Sequence, residues 1–261
     1  DHIRERLQQQ ILRDIKLIDT DGSKPAQING LSVLQLGNHA FGTPTRITAT
    51  ARLGSGKLID IERESRLGGD IHSKGVMIIS AYLAEKYARE QPLPLSASLV
   101  FEQSYGGIDG DSASCAEVCV LLSAIGDIPL RQDLAVTGSM NQLGEVQAIG
   151  GVNHKVEGFF NICAERGLTG RQGVIMPAAN QVHLMLNADV RDAVKAGRFH
   201  LYVANHVEDV MAKLTGMQPG KLGKRGQFRK GSFNRRISDR IDAFLQLQRK
   251  FASSAEGDAK S

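Results

Sequence analysis

The amino-acid sequence predicts a mixed α/β (α+β) protein, with small mixed sheets and helices packed on them. Short runs of strand-like alternation are interleaved with longer runs of helical period. Hydrophobic residues make up 41% of the chain and charged residues 23%, the balance of a chain that buries a core. Aromatics are only 5% and Trp is absent, so aliphatic side chains must fill that core. No apolar run approaches the roughly eighteen residues a bilayer-spanning helix needs, and no membrane segment is expected.

Ile3, Leu7, Ile11, Ile15 and Ile18 form a helical stripe over residues 3–18, which the turn-like residues 19–25 end. The start, Asp1-His2-Ile3-Arg4, has no initiator Met and no apolar signal region. Residues 1–25 are therefore expected to be a connecting helix and linker from an upstream domain in a longer chain. Strands follow at 31–36, 47–53 and 58–64, the last two joined as a hairpin by Gly54-Ser55-Gly56-Lys57. That turn imitates a phosphate loop. A Walker motif would need Gly at position 51 and Ser or Thr at 58, where this chain has Ala51 and Leu58, so no nucleotide site is expected.

Gly68-Gly69 opens a helix over 73–89, and a strand at 97–102 leads into the glycine-rich residues 104–111. The pattern then predicts a helix over 112–124, a strand at 134–136, a hairpin-like stretch at 137–149 and a helix over 151–166. A strand at 173–176 stops at Pro177, followed by short helices, a strand at 199–203 and a helix at 207–214. Residues 26–216 thus read as the folded body. Residues 217–261 read as a basic, flexible tail, with Ile237, Ile241, Phe244, Leu245 and Phe251 forming a short amphipathic helix before a disordered polar end. No internal repeat is visible.

Charge follows the same division. Residues 217–261 carry eleven Lys/Arg against four Asp/Glu, a net +7, which leaves −3 for the other 216 residues against a whole-chain +4. The body needs no polyanionic partner. The run Lys221, Lys224, Arg225, Arg229, Lys230, Arg235, Arg236 contains no acid; it can hold nucleic-acid phosphates weakly and without sequence selectivity, or be a solvated tail. Cys115, Cys119 and Cys163 are an odd number with no zinc-type spacing, which predicts reduced thiols in a cytoplasmic protein and no metal.

Two segments carry chemistry. In Gly106-Gly107-Ile108-Asp109-Gly110-Asp111-Ser112-Ala113-Ser114, a serine stands where a loop meets the first turn of a helix. Free N–H groups and the helix dipole there favour developing negative charge, as acyl transfer requires. Ser112 or Asp111 is equally suited to capping the helix. In Gly150-Gly151-Val152-Asn153-His154-Lys155 a lysine sits at another helix start. It serves as a general base only when neutral, which takes a pKa about three units below its usual value. Burial beside Val152, Val156, Phe159 and Phe160 can do this; a solvated surface lysine is the alternative. His154 would face away from Lys155 on the helix, and no Gly-x-Ser-x-Gly motif surrounds Ser112.

Five motifs in order resemble the proteolytic domain of the Lon protease family. They are Asp109 to Ser114; Arg131-Gln132-Asp133-Leu134-Ala135-Val136-Thr137-Gly138-Ser139; Gly144-Glu145-Val146; Ile149-Gly150-Gly151 with Lys155; and Val174-Ile175-Met176-Pro177. The resemblance covers residues 96–216, and more loosely the chain from about Ile28. Asp111 and Ser114 mark the archaeal-type branch. Leu67 to Gly75 looks closest to bacterial Lon-related proteins described as ATP-dependent proteases.

The resemblance implies a Ser-Lys dyad, with Ser112 as nucleophile and Lys155 as general base. Thr137 would hydrogen-bond the lysine amine, and Asp109 would sit near it. It further implies a serine endopeptidase acting on unfolded or damaged polypeptides, working as a homo-hexameric ring. ATP and Mg would belong only to an ATPase domain upstream of this sequence, so no cofactor is expected in this chain. Two other readings stand beside it: a Lon-like assembly module that no longer cleaves, and a nucleic-acid-binding module resting on residues 221–236.

Overall fold

A computed structural model of the chain describes residues 2–258. In chain order the elements are α1 (His2–Leu12), β1 (Ser23–Lys24), β2 (Gln27–Leu36), β3 (His39–Leu53), β4 (Leu58–Asp60), α2 (Ile61–Glu64), α3 (Asp70–Tyr87) and β5 (Leu95–Phe101). Next come α4 (Ser114–Gly126), β6 (Leu130–Arg131), β7 (Leu134–Val136), the short hairpin β8 (Ser139–Met140) and β9 (Val146–Gln147), and α5 (Val152–Arg166). The remainder is β10 (Gly173–Pro177), a 3-10 turn (Ala178–His183), α6 (Ala188–Lys195), β11 (His200–Ala204), α7 (Val207–Thr215) and α8 (Phe233–Asp258). This is the mixed α/β architecture the alternation of periods predicts.

Seven strands form one mixed sheet in the order β11-β10-β7-β2-β3-β5-β4. Contacts β11–β10, β10–β7, β7–β2 and β5–β4 are parallel; β2–β3 and β3–β5 are antiparallel. β1 and β6 make a separate two-stranded pair. The hairpin expected at Gly54–Lys57 is not one. The turn carries the chain past β5, which lies between β3 and β4, and residues 61–64 wind into α2 rather than extend the strand. Turn chemistry reports that the chain reverses, while partner choice is made by the sheet as a whole.

Side chains alternate across this sheet and feed two cores. On one face, Ile28, Leu99, Leu134, Val136 and Ile175 pack with α3, α4, α7 and α8. On the other, Leu31, Ala135, Val174 and Met176 pack with Val156, Phe159 and Phe160 of α5 and Val190 of α6. Helices α4 and α5 thus lie on opposite faces, and their N-terminal ends approach each other beyond β7.

The ends of the chain depart from the sequence pattern. Helix α1 stops at Leu12 because Asp14 takes a left-handed φ of 55°. Ile15 of the predicted stripe is therefore exposed, while Ile18 turns back to join Ile11 and Ile162 in a satellite cluster. The C-terminal stretch read as a flexible tail is packed in part. Ser232, Phe233 and Asn234 are buried, and α8 seats Phe233, Ile237, Ile241 and Phe244 in the core that includes α4. The apolar spacing was legible; the surface it covers, on α4, was not. The polar end beyond residue 258 lies outside the described residues.

Candidate active site

Ser112 occupies the turn immediately before α4, whose first helical residue is Ser114. Backbone bonds pin this turn to the strand-end residues after β7. Gly138 N–H donates to Ser112 O (2.8 Å), Cys115 N–H to Gly138 O (3.1 Å), and Ser114 N–H to Asp111 O (3.0 Å). Met140 N–H donates to Ser114 Oγ (3.1 Å), joining β8 to the same turn. The N–H groups of Ser112 and Ala113 make no hydrogen bond among the described residues. They form a small donor pair beside the Ser112 hydroxyl, at the positive end of α4.

Lys155 lies in the first turn of α5, after Gly151 at the N-cap with φ 68°. It is only 4% exposed, and Val152, Val156 and Phe159 around it in the helix are buried with it. The helix can lie this close to β3 because the two backbones touch at Gly42 and Gly158. Nζ of Lys155 stands 3.0 Å from Oγ of Ser112, so residues 43 positions apart and on opposite faces of the sheet converge here. Burial lowers the lysine pKa to about 8, against a weaker opposing pull from the Asp111 carboxylate.

The other two residues expected at the site are placed differently. Thr137 follows β7 and is 2% exposed, but its hydroxyl points at the Ser112 carbonyl (3.5 Å). No hydrogen bond joins it to Lys155 among the described residues. The carboxylate whose charge bears on Lys155 is that of Asp111. Asp109 is exposed and rests against Gly69, next to the start of α3. Gly110, with φ 91°, turns the chain between the two acids; Asp111 lies against Gly75, within α3. His154 is exposed.

Residues 99–216, which contain Ser112, Thr137 and Lys155, match the family profile of the Lon protease (S16) C-terminal proteolytic domain. This chain carries a Lon-family proteolytic domain. The Lon-type match extends beyond that segment. A protein of Escherichia coli (strain K12), named as a homolog of Lon protease, is 48% identical over 215 residues, covering 82% of this chain and 37% of its own length. A protein of the same name from Haemophilus influenzae is 44% identical over 250 residues, 95% of this chain and 42% of its own. An archaeal Lon protease from Methanocaldococcus jannaschii is 36% identical over 183 residues, 65% of this chain and 26% of its own. The chain thus spans well under half the length of these Lon relatives. Among the described residues no group of three or more His, Cys, Asp or Glu is placed to hold a metal, and no helix is long and apolar enough to cross a membrane. Cys115, Cys119 and Cys163 are free and buried.

Proposed function

We propose that this chain is a serine endopeptidase in which Ser112 is the nucleophile and Lys155 the general base. The observation that carries the reading is the 3.0 Å contact between Lys155 Nζ and Ser112 Oγ, with the amine buried enough to lose its proton near neutrality. When Lys155 is neutral its lone pair accepts the Ser112 proton as the hydroxyl oxygen attacks a peptide carbonyl. The resulting oxyanion lies within reach of the free N–H groups of Ser112 and Ala113, which stabilise it without reorganising. Lys155 then returns its proton to the leaving amine, giving an acyl-serine. Water attacks that ester with Lys155 again taking the proton, and Ser112 is regenerated.

The substrates in this reading are unfolded polypeptides, as the resemblance to the Lon family implies. The lengths of the Lon relatives support a longer polypeptide, and the family resemblance places ATP and Mg in an ATPase domain outside these 261 residues. A six-membered ring of cytoplasmic location completes the proposal. Val182 and Met185, 86% and 84% exposed beside the Lys155 helix, are suited to burial between copies.

Hydrolysis of an unstructured fluorogenic peptide, measured for this chain and for Ser112→Ala side by side, tests the assignment. Cleavage that disappears in the variant supports it. Equal cleavage by both overturns the nucleophile. A folded, assembled full-length protein that cleaves nothing with ATP present would instead favour the inert assembly reading.

A further inference from the structure

Away from the Ser112–Lys155 pair, the fold buries a second ionisable cluster. Asp60 at the end of β4, Glu62 in α2, His72 in the first turn of α3 and Glu117 in the first turns of α4 are each 5% exposed or less. His72 Nε2 is 3.4 Å from the Asp60 carboxylate, and His72 Nδ1 is 4.0 Å from Glu117 Oε1. Three carboxylates and one imidazole, all ionised, would leave two uncompensated negative charges out of contact with water. Burial of that kind costs several kcal/mol per charge, so the cluster must hold protons instead.

The hydrogen bonds decide which group keeps one. Glu62 Oε1 accepts Phe101 N–H of β5 (2.8 Å), and Asp60 Oδ1 accepts Glu62 N–H (3.1 Å) as well as facing His72. Glu117 has neither advantage: Oε2 has no partner and Oε1 has only the distant imidazole. The remaining titratable neighbour, Cys115 two residues earlier on α4, is a neutral thiol held by its bond to Ser139 O.

Glu117 also sits on the nucleophile's helix. Its N–H donates to Ala113 O (2.9 Å), the carbonyl of the residue directly after Ser112. We propose that Glu117 is a positioning residue: it holds a proton at neutral pH, and that proton keeps the first turn of α4, and Ser112 with it, docked against α2 and α3. Resting on the serine-protease reading, this gives activity an alkaline limit separate from the lysine. Ionising Glu117 adds a buried negative charge beside Asp60 and Glu62 and pushes α4 away from them. The charge balance agrees in direction. Burial raises the Glu117 pKa to about 7 and raises that of Glu62. For His72, nearby carboxylates outweigh burial and raise it too.

The test is denaturant unfolding of the 261-residue chain and of Glu117→Gln from pH 5.5 to 9, with peptide hydrolysis on the same samples. Groups that bind protons more tightly when folded lose stability as pH rises through neutrality. The wild-type midpoint should therefore fall between pH 5.5 and about 7, below the range in which Lys155 titrates, and the slope there in Glu117→Gln should be shallower by up to one proton. Glutamine mimics the protonated acid, so the variant should stay folded and keep gaining hydrolysis to higher pH than wild type. Identical slopes in both proteins overturn the proposal whether or not either cleaves. Differing slopes with no cleavage by wild type leave the positioning intact and count against the protease reading. Should the variant fail to fold, infrared spectra of wild type at pH 6.5 decide: a carboxylic-acid carbonyl band lost by pH 9 supports a protonated buried acid, and no such band excludes it.

Discussion

Gly42 of β3 and Gly158 of α5 face each other with no room for a side chain between them. A Cβ on Gly158 would stand 2.2 Å from Gly42 O, and one on Gly42 would stand 1.9 Å from His154 O and 2.8 Å from Lys155 Cα. This contact sets how far α5 can sink toward the sheet, and with it how near Lys155 comes to Ser112. Alanine in an open helix position gains about 1 kcal/mol over glycine. At Gly158 that gain competes with an overpacking cost of about 1–3 kcal/mol. The close contact is with backbone, which cannot rotate away, so the cost should win. Gly158→Ala should lower the melting temperature and cut hydrolysis more than tenfold. A stabilised, fully active variant would show that the crossing is looser than described.

Lys155 carries a pH dependence of definite sign. Its folded pKa, near 8, lies below its ordinary value of 10.5. Between these values the unfolded chain binds a proton that the folded chain does not, so this group's contribution to stability rises with pH from about 8 to about 10.5. Below pH 8 the folded state carries a buried ammonium. Lys155→Met should therefore be more stable than wild type at pH 6, by roughly 1–3 kcal/mol, since each tenfold loss of proton affinity on folding is worth about 1.4 kcal/mol. The same variant should cleave nothing, and Lys155→Arg should be equally inactive because a guanidinium does not deprotonate. In Glu117→Gln, where the opposing titration of Glu117 is removed, hydrolysis should rise with pH through about 8. A profile flat from pH 6 to 8.5 would falsify lysine as the base.

Thr137 separates two arrangements of the site. Its hydroxyl is bonded to Ser112 O at 3.5 Å, a long contact, and not to the lysine. In this arrangement Thr137→Val should cost about 1 kcal/mol of stability and leave the pH midpoint of hydrolysis unmoved. A midpoint shifted by half a unit or more would mean that the hydroxyl reaches the amine during turnover.

Much of this site is legible in the sequence because its parts are local. Ser112 before a helix and Lys155 four residues after Gly151 are positions that short motifs fix, and the structure brings those two together. What the motifs miss depends on dihedral angles and on distant partners. Asp109 and Asp111 are two residues apart, and the motif does not say which of them bears on Lys155; in the fold it is the charge of Asp111, after the positive φ of Gly110. The turn at Gly54–Lys57 has hairpin chemistry, yet β5, some forty residues later, takes the place beside β3. Glu117 looks like an ordinary helix residue until Asp60, Glu62 and His72 are folded around it.

The N-terminal segment is tied to the lysine-bearing helix by one side chain. Arg166, the last residue of α5, donates to Ile18 O (2.6 Å), Ile11 O (2.9 Å), Thr20 Oγ1 (3.3 Å) and Asp14 Oδ1 (3.4 Å). Removing it leaves the part-buried carbonyls of Ile11 and Ile18 without this donor, so Arg166→Ala should cost about 1–3 kcal/mol. Limited proteolysis should then cut within residues 12–18 much faster than in wild type. Unchanged cleavage there would mean that Ile11, Ile18 and Ile162 alone hold the segment.

The basic run over 221–236 is divided by the fold into two groups, and only one is free to meet an anion. Arg236 donates to Gly126 O (2.8 Å) and Asp127 O (2.6 Å), placing its charge at the negative end of α4, and Arg235 bonds Asp239 (2.7 Å). Lys221, Lys224, Arg225, Arg229 and Lys230 are exposed. Deleting everything after Gly216 would strip Phe233 and Ile237 from the core and confuse unfolding with lost binding. Changing the five exposed cations to Gln removes the charge and leaves the core alone. If this surface binds nucleic acid, retention on DNA should weaken steeply with salt and disappear in the five-fold variant, while Arg236→Gln lowers stability without affecting retention. Retention that is equal in wild type and variant, or absent in both at low salt, removes the nucleic-acid reading and leaves the run as a solvated surface.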